Sequence, residues 1–452
     1  MNLILGDIST TQNYLEQIDT VDAWFFDGFS PSKNPELWTK QLFSKINNSC
    51  HADSTFSTYS SSGYVKENLK DIGFSYERVK GFSHKRHMLK GVSSSRKEKT
   101  SIKGLKVAVI GSGIAGCTVS YFLSKQGIEV DLYEQDKEIC SGASSHELLV
   151  TYPRLSAHDT PYGRFNLHAY VYATNFYESL QTSAWKRTGV LVLNHDSDSN
   201  KKHNSLIQCR KDNLIFEALD YKEATQVAGI EIKTSAMLYK DAGYILPKQI
   251  CEELIEHPKI NLQLSTAIQK VIESENKVSL IADGKIEKYD FVCLCTGSET
   301  EKIYKLDGFS KKRGQVTHVN SRDIFSDINL PICAKGYISP EINNIHVVGS
   351  SYSDIDTLDI LDEEHQHNLD NLKVINSEQA EIKSGKVGFR AVSKDHMPVV
   401  GNESRVFVNT CHGSRASVTA PICADVVSSL ILGKAPPLEK RELDSLSPNR
   451  FN

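Results

Sequence analysis

The residues with the clearest chemistry form a glycine-rich turn, Gly111-Ser-Gly-Ile-Ala-Gly116, with the spacing GxGxxG. A β-branched run, Lys106-Val-Ala-Val-Ile110, precedes the turn, a helical pattern over residues 114–126 follows it, and the next strand pattern ends at Glu134. In such a βαβ unit the glycines allow a tight turn, close approach of the backbone to a pyrophosphate, and packing of helix on strand. The helix N-terminus stabilises phosphates, and Glu134 can accept hydrogen bonds from ribose hydroxyls. The motif therefore predicts a dinucleotide site, and a glycine turn in an unrelated βαβ unit is the alternative.

Later segments indicate which dinucleotide is bound. A strand pattern in Asp290-Phe-Val-Cys-Leu-Cys-Thr-Gly297 ends in Thr-Gly, the arrangement that closes over a flavin, and Gly142-Ala-Ser-Ser145 suits a loop near the pyrophosphate and ring. Towards the C-terminus follow Gly388-Phe-Arg390, Pro398-Val-Val-Gly401 and His412-Gly-Ser-Arg415. Together these motifs resemble the D-amino-acid oxidase and glycine oxidase superfamily.

This resemblance implies an α/β fold over residues 105–452: a Rossmann-like FAD-binding domain with an interleaved mixed-sheet substrate domain. It also implies that Arg390 pairs with a substrate carboxylate, a task that suits a bidentate guanidinium; a surface arginine on a solvated strand is the alternative. His412 is either a packed histidine or a base. The residues expected to bind FAD are Gly111, Ser112, Gly113, Ile114, Ala115, Gly116, Glu134, Gly142, Ala143, Ser144, Thr296, Gly297, Gly413, Ser414 and Arg415.

A second resemblance is narrower. It rests on the segments Asp22-Ala-Trp-Phe-Phe-Asp-Gly-Phe-Ser-Pro-Ser-Lys-Asn-Pro-Glu-Leu-Trp38, Gly81-Phe-Ser-His-Lys-Arg-His-Met-Leu89, Arg313-Gly-Gln-Val316, Gly349-Ser-Ser-Tyr352 and Cys411-His-Gly-Ser-Arg415. Their order resembles the bifunctional (MnmC-type) proteins of tRNA 5-methylaminomethyl-2-thiouridine biosynthesis. The resemblance implies a tRNA partner with a modified wobble uridine. In that family an FAD-dependent oxidase removes the carboxymethyl group from 5-carboxymethylaminomethyl-uridine, and an S-adenosylmethionine-dependent methyltransferase then methylates the amine.

The N-terminal part departs from the family pattern. Residues 1–91 hold strand patterns that start at what reads as a middle strand, Leu3-Ile-Leu5, and no glycine-rich S-adenosylmethionine loop precedes it. We therefore expect a partial Rossmann-like methyltransferase fragment, with an incomplete methyl-donor site and with Asp27 as a doubtful catalytic residue. A Ser/Lys-rich linker is predicted over residues 92–104. The stretch from Lys85 to Lys106 carries eight Lys/Arg against one acid, which fits either a solvated tether or a phosphate-contacting patch.

Composition restricts the remaining classes. The 452 residues carry a net charge of −4, so any nucleic-acid binding must come from a local patch. Ten cysteines without a CxxC pair indicate a reduced, cytoplasmic protein without a metal site, and no apolar run reaches the length of a membrane span.

The predicted function is oxidation of the tRNA-bound amine, with methylation lost. An oxidase of free glycine or sarcosine-type amines and a non-catalytic tRNA-binding homologue are the alternatives. The oligomeric state stays open.

Overall fold

The structure is a computed structural model that describes residues 4, 6–18, 21–83, 85–95, 97–98, 102–209, 215–320, 325, 327–375, 380–402 and 404–451. The chain divides into two compact units, Met1–Lys103 with Ser428–Asp444 and Gly104–Val427 with Ser445–Asn452. The domain boundaries predicted at residues 91 and 105 stay predictions. Part of the predicted linker, residues 96 and 99–101, lies outside the described residues.

The first unit is built on a four-stranded sheet. Its strands are β1 (Val21–Phe26), β2 (Cys50–Thr58), β3 (Ser75–Lys80) and β4 (His87–Val92), and its helices are α1 (Ile8–Thr11), α2 (Lys40–Asn48) and α3 (Gly63–Asp71). The strand order is β1-β2-β4-β3, with β1 and β2 parallel and the other pairs antiparallel. Phe56 packs on Phe74 with ring centroids 5.2 Å apart, inside a buried cluster that includes Trp38 and Leu69. The strand predicted at Leu3-Ile-Leu5 falls on residues 3 and 5, outside the described residues.

The remaining elements follow in chain order. The strands are β5 (Lys106–Ile110), β6 (Glu129–Tyr133), β7 (Leu149–Thr151), β8 (Trp185–Lys186), β9 (Val190–Leu193), β10 (Glu217–Leu219), β11 (Ala236–Tyr239), β12 (Gly243–Ile245), β13 (Ile260–Gln263), β14 (Lys270–Glu273), β15 (Val278–Ala282), β16 (Lys285–Tyr289), β17 (Phe291–Leu294), β18 (Phe309–Asn320), β19 (Ile332–Cys333), β20 (Tyr337–Ile338), β21 (Ile345–Gly349), β22 (Ile382–Ser393), β23 (Val399–Asn402) and β24 (Val406–Thr410). The helices are α4 (Ile114–Lys125), α5 (Pro161–Ser179), α6 (Ser197–Cys209), α7 (Tyr221–Ala228), α8 (Pro247–Ile255), α9 (Asp362–Asp370), α10 (Ala416–Ile431) and α11 (Lys440–Leu446).

A six-stranded sheet carries the predicted dinucleotide motif. Its order is β13-β6-β5-β17-β24-β23, and all neighbours are parallel except β23 with β24. Val107, Ala108 and Val109 of the central strand β5 are fully buried, because helices and other elements cover both faces of a parallel sheet. The predicted β5-α4-β6 unit and the α/β fold class are confirmed.

The second large sheet has eight strands in the order β10-β11-β9-β19-β20-β21-β18-β22. Its longest antiparallel pair, β18 with β22, places Lys312 opposite Arg390 and Gly314 opposite Gly388. The pairing is regular from Phe309 onward, and its register shifts only between His318 and Val319. No helix of the described ranges is long and apolar enough to cross a membrane.

Candidate functional site

A cleft of about 610 Å³ lies at the carboxyl ends of β5, β6, β17 and β24, where parallel sheets of this type bind their ligands. Most of the predicted site residues line it: Gly111, Gly113, Ile114, Ala115, Glu134, Gly142, Ala143, Ser144, Thr296, Gly297, Arg390 and Gly413. Four others stand next to lining residues in the chain without being part of the lining: Ser112, Gly116, Ser414 and Arg415. The structure thus brings together segments that are about 300 residues apart in the sequence.

Each glycine of the turn is required for a different structural reason. Gly111 has φ +98°, and a Cβ there would lie 2.7 Å from the Cys295 carbonyl oxygen. A Cβ on Gly116 would overlap the Gly111 carbonyl oxygen, so only glycine lets α4 approach the turn. Gly113 caps α4 without a side-chain hydrogen bond of its own, Ser144 Oγ accepts from Ile114 N at 3.1 Å, and Gly113, Ile114 and Ala115 line the cleft. The N-terminal turn of α4 suits an anionic ligand, because the first N–H groups of a helix lack partners within the helix and its dipole favours negative charge.

Glu134 binds the same turn from the end of β6. Its Oε2 accepts hydrogen bonds from the backbone N of Ser112 at 3.0 Å and from its Oγ at 2.6 Å. Its Oε1 accepts from the backbone N of Asp136 at 3.1 Å. The carboxylate is buried and lines the cleft, so its position relative to the turn is fixed before a ribose hydroxyl arrives.

Arg390 enters the cleft from β22. Its Nη2 donates to Ser350 Oγ at 2.6 Å and its Nη1 to the carbonyl oxygen of Ser351 at 3.2 Å. Burial lowers the pKa of Arg390, although a guanidinium remains charged at neutral pH. Two lysines also line the cleft, but Lys302 pairs with Glu299 and Lys311 with Asp356. Among the described residues Arg390 is therefore the lining cation without a carboxylate partner.

His146 lies close to Arg390, and the sequence interpretation missed it. A Cβ built on Gly388 would lie 3.4 Å from its Nε2, and its Nδ1 is buried without a described hydrogen-bond partner. Burial first, and the charge of Arg390 second, lower the pKa of His146 to about 4. The imidazole is therefore neutral at pH 7. Its place directly after Ser144 and Ser145 in the predicted flavin loop was the available sequence signal.

Two further side chains present unused polar atoms at the cleft. Asn409 of β24 is 1% exposed and lines the cleft, yet neither its Oδ1 nor its Nδ2 has a described partner. His412 Nδ1 lies 2.8 Å from Thr419 Oγ1, whose hydroxyl already donates to the Arg415 carbonyl at 3.0 Å. His412 therefore carries its proton on Nδ1, and the buried Nε2 is left as an acceptor.

These orphaned atoms test whether FAD fits the residues present. Buried polar groups without partners are costly, so a ligand with donors and acceptors is expected opposite Asn409 and His412. The N-terminal turn of α4 and Glu134 supply the partners for a pyrophosphate and a ribose. The donor set fits the dinucleotide. Burial lowers the pKa of His412 to about 4, which favours a neutral packed side chain over a base at pH 7.

Arg415 is turned away from the cleft. Its Nη1 donates to the Tyr152 carbonyl at 2.7 Å, and its guanidinium lies 4.4 Å from the centre of the Tyr152 ring. Arg154 and Lys202 are exposed nearby, whereas Arg415 is half-buried. Partial desolvation first, and then the charges of Arg154 and Arg415, lower the pKa of Lys202. Within the described chain none of these three cations pairs with a carboxylate. They form an electropositive surface, the Arg154–Lys202–Arg415 cluster.

The basic stretch from Lys85 to Lys106 is partly neutralised. Lys90 pairs with Glu77 at 2.7 Å, while Lys106, the first residue of β5, pairs with Asp131 at 2.7 Å. Residues 96 and 99–101 of this stretch lie outside the described residues. Its phosphate-contacting role stays a prediction.

Asp27 belongs to the first unit. It follows β1 directly, is exposed, and its backbone N donates to the Phe25 carbonyl at 3.1 Å. The pKa of the neighbouring Tyr59 is raised, by burial first and by the Asp27 carboxylate second.

In the part of the chain that the structure describes, no group of three or more His, Cys, Asp or Glu side chains could hold a metal ion.

The chain is similar to known proteins in both of its parts. Residues 106–430 match the family of FAD dependent oxidoreductases, and residues 1–94 match an S-adenosyl-L-methionine-dependent methyltransferase family. A tRNA 5-methylaminomethyl-2-thiouridine biosynthesis bifunctional protein MnmC of Idiomarina loihiensis is 31% identical, over 100% of this chain and 76% of the relative. Its counterpart of Marinomonas sp. is 31% identical over 95% of this chain and 74% of the relative.

Solved structures resemble the second unit in fold. Glycine oxidase from Bacillus cereus superposes with a TM-score of 0.63 at 20% identity, covering 73% of this chain and 97% of that one. L-Proline dehydrogenase from P. horikoshii gives a TM-score of 0.66 at 19% identity, covering 77% and 97%. At these identities the likeness concerns the fold alone.

Proposed function

From the premise that the chain belongs to the FAD-dependent oxidoreductases and, within them, to the MnmC family of tRNA 5-methylaminomethyl-2-thiouridine biosynthesis bifunctional proteins, we propose that it oxidises a tRNA-bound N-substituted glycine. The substrate is 5-carboxymethylaminomethyl-(2-thio)uridine at the wobble position, and the product is 5-aminomethyl-(2-thio)uridine. One observation carries the proposal: Arg390 faces the FAD-fitting cleft as a half-buried cation without a carboxylate partner among the described residues. With a tRNA as substrate, we expect the protein to act in the cytoplasm.

The substrate side chain is a secondary amine that carries a CH2–COO− arm. Its oxidation removes a hydride from the CH2 carbon and a proton from the nitrogen, which leaves an imine. Water adds to the imine carbon, the C–N bond breaks, and glyoxylate leaves the primary amine behind. The Gly111–Gly116 turn and Glu134 would hold FAD, which would supply the two-electron acceptor for this chemistry.

The chain's own residues orient the substrate. The Arg390 guanidinium pairs with the carboxylate through charge-assisted hydrogen bonds, which are strong in a partly desolvated site. Neutral His146 beside it adds no second positive charge, so the carboxylate is directed to Arg390. Fixing the carboxylate fixes the adjacent CH2 carbon, and such positioning supplies most of the rate enhancement.

The Arg154–Lys202–Arg415 cluster supports a nucleic-acid partner. Arg415 lies within the segment that contributes Gly413 to the cleft, so the cluster belongs to the same unit as the proposed chemistry. Cations without acid partners attract phosphates, and their binding releases the counterions that surround the nucleic acid. A free amino acid would not need such a surface outside the cleft.

Methylation is the family's second activity, and we propose that the described strands of the first unit do not by themselves form a methyl-donor site. Residues 1–94 match the methyltransferase family, but the described part of the first unit offers a single parallel strand pair, β1 with β2. Asp27 is exposed there without a described side-chain partner. Calorimetry with S-adenosylmethionine and a methyl-transfer assay on aminomethyl-tRNA test this point. Micromolar donor binding or methylated product would restore Asp27 as a catalytic residue.

The oxidase proposal is tested by mixing the anaerobic, FAD-loaded protein with three amines: carboxymethylaminomethyl-tRNA, glycine and sarcosine. We expect flavin bleaching and glyoxylate release with the modified tRNA alone, and slow bleaching in Arg390→Ala. Loss of a charge-assisted pair in a partly desolvated site costs about 2–5 kcal/mol of binding. Equal reaction with free sarcosine would favour the small-amine oxidase, and no bleaching with any amine would favour a non-catalytic tRNA-binding homologue.

A further inference from the structure

A buried ion pair is linked to the anchor of Arg390. Arg313 of β18 has 0% exposure, and its Nη1 donates to Glu364 Oε2 at the start of α9. Its Nε donates to the Thr357 carbonyl at 2.9 Å and its Nη2 to Gln315 Oε1 at 3.1 Å. Taking two charges out of water is costly unless further hydrogen bonds satisfy them, so this pair needs its polar surroundings.

Glu364 connects the ion pair to the Arg390 anchor. Its Oε2 accepts from Ser351 Oγ at 2.7 Å, and the Ser351 carbonyl accepts from Arg390 Nη1 at 3.2 Å. The neighbouring Ser350 accepts from Arg390 Nη2 through its Oγ. A continuous series of contacts therefore runs from Arg313 through Glu364 and Ser351 to Arg390.

The anchor itself is made of neutral acceptors. Within the described residues no carboxylate holds Arg390, and a hydroxyl with a carbonyl binds a guanidinium more weakly than a carboxylate does. The direction of the guanidinium thus depends on how firmly Ser350 and Ser351 are held. Ser351 is 3% exposed, its Oγ also accepts from Gln315 N at 2.8 Å, and its N donates to the Gln315 carbonyl at 3.1 Å.

We propose that Glu364, fixed by Arg313, is a positioning residue that aims Arg390 at the substrate carboxylate, an inference that rests on the function proposed above. A carboxylate in direct contact with Arg390 would neutralise it and compete with the substrate. Glu364 does not contact Arg390 directly but holds Ser351, which in turn binds Arg390. The anchor is therefore rigid, while Arg390 keeps its charge for the ligand. The remaining N–H groups of the guanidinium stay available.

The test uses the full-length, FAD-loaded protein and methoxyacetate as the probe. Methoxyacetate has the carboxymethyl arm but an ether oxygen in place of the amine, so it binds without being oxidised. Its dissociation constant is measured from the shift of the flavin absorbance, with methoxyacetamide as the uncharged comparison. The variants are Glu364→Gln and Ser351→Ala; the second leaves the Arg313–Glu364 pair in place, so a folded protein is at hand even if the first unfolds.

Ser339→Ala is the matched control. Its Oγ is buried in the same sheet region, accepts from Val347 N at 2.8 Å and donates to the Pro340 carbonyl at 2.7 Å, without contact to Arg390. We expect Glu364→Gln and Ser351→Ala to raise the dissociation constant of methoxyacetate about ten- to a hundredfold, as misplacement of a binding group does. FAD affinity and methoxyacetamide binding should not change in these two variants, and their KM for modified tRNA should rise more than their kcat falls. The Ser339→Ala protein should bind methoxyacetate as the unmodified protein does.

Two results overturn the inference in distinguishable ways. Lower thermal stability of both variants with an unaltered methoxyacetate constant would reduce Glu364 to a structural role, and Arg390 would keep its assignment. Equal methoxyacetate binding by the unmodified protein and Arg390→Ala would remove the carboxylate role of Arg390 and the positioning role of Glu364 together.

Discussion

The guanidinium of Arg390 lies directly over Gly314, on the neighbouring strand. A Cβ built on Gly314 would overlap Nη1, Cζ and Nη2 of Arg390. The two residues belong to β22 and β18, where Gly314 pairs with Gly388 and Arg390 with Lys312. The absence of a side chain at Gly314 is therefore what gives Arg390 its path into the cleft.

Replacement of Gly314 by alanine should displace Arg390 and leave the flavin in place. We expect kcat/KM for the modified tRNA to fall about ten- to a hundredfold, because small misplacements of a binding group are costly. Stopped-flow reduction of the flavin measures the effect. In the double variant Gly314→Ala/Arg390→Ala the two losses should not add, since both act through one guanidinium. Full additivity would mean that Gly314 serves another purpose.

Gly113→Val should give a folded protein without bound FAD. The new side chain would enter the N-terminal end of α4 and lie against Ser144 Oγ, only 3.1 Å from the Cβ position. The flavin absorbance of the purified protein and its far-UV circular dichroism are the measurements. Gly63→Val is the control, because a Cβ there meets no atom within 4 Å. Full flavin content in Gly113→Val would contradict the assignment of the turn.

Lys202→Ala should weaken tRNA binding in a salt-dependent manner. Removal of one phosphate contact lowers the slope of log K against log salt by about 1. Fluorescence anisotropy with labelled tRNA at several salt concentrations provides the slope. Lys240→Ala serves for comparison, because Lys240 is already paired with Glu217 at 2.6 Å. Identical slopes for both variants and the unmodified protein would exclude the Arg154–Lys202–Arg415 cluster from the RNA surface.

Acid should destabilise the fold through a histidine outside the cleft. Burial first, and Lys202 second, lower the pKa of His203 from 6.5 to about 4. The unfolded chain therefore binds more protons between these values, so the stabilisation is complete above pH 6.5 and is lost as the pH falls through 4. In His203→Gln the free energy of unfolding should vary less between pH 7 and pH 4, by roughly 1–3 kcal/mol. Urea titrations measure it, with exposed His367→Gln as the control; an unchanged pH dependence would contradict the prediction.

Local patterns predicted the backbone geometry of the part of the candidate site that is local in sequence. The Gly111–Gly116 turn, α4 and Glu134 lie within one βαβ unit, where spacing alone determines which groups meet. Helix α3 likewise begins at a local signal, because Ser62 Oγ accepts from Val65 N at 3.3 Å as an N-cap does.

Contacts between distant segments were not predictable. The partnership of Arg313 with Glu364 joins residues 51 apart, and nothing in the surroundings of either residue in the sequence indicates the other. Asn409 reads as an ordinary polar residue in a strand, and only burial without a partner makes it informative. Arg415 belongs to a motif at the cleft, yet its side chain contacts Tyr152, since a motif does not determine the direction of a side chain.

The register shift between His318 and Val319 determines where this chain can accommodate an inserted or deleted residue. Shifting a strand by one residue turns every side chain to the opposite face, so an insertion next to Arg390 would carry it out of the cleft. The irregularity lies at the far end of the β18–β22 ladder, beyond the regular pairs that include Lys312 with Arg390. A change of register caused by an insertion or deletion beyond this irregularity can be taken up there, so the pairing of the strands at the cleft stays the same. We therefore expect one residue inserted after Asn320 to leave the methoxyacetate dissociation constant unchanged, whereas one inserted between Phe389 and Arg390 should abolish binding.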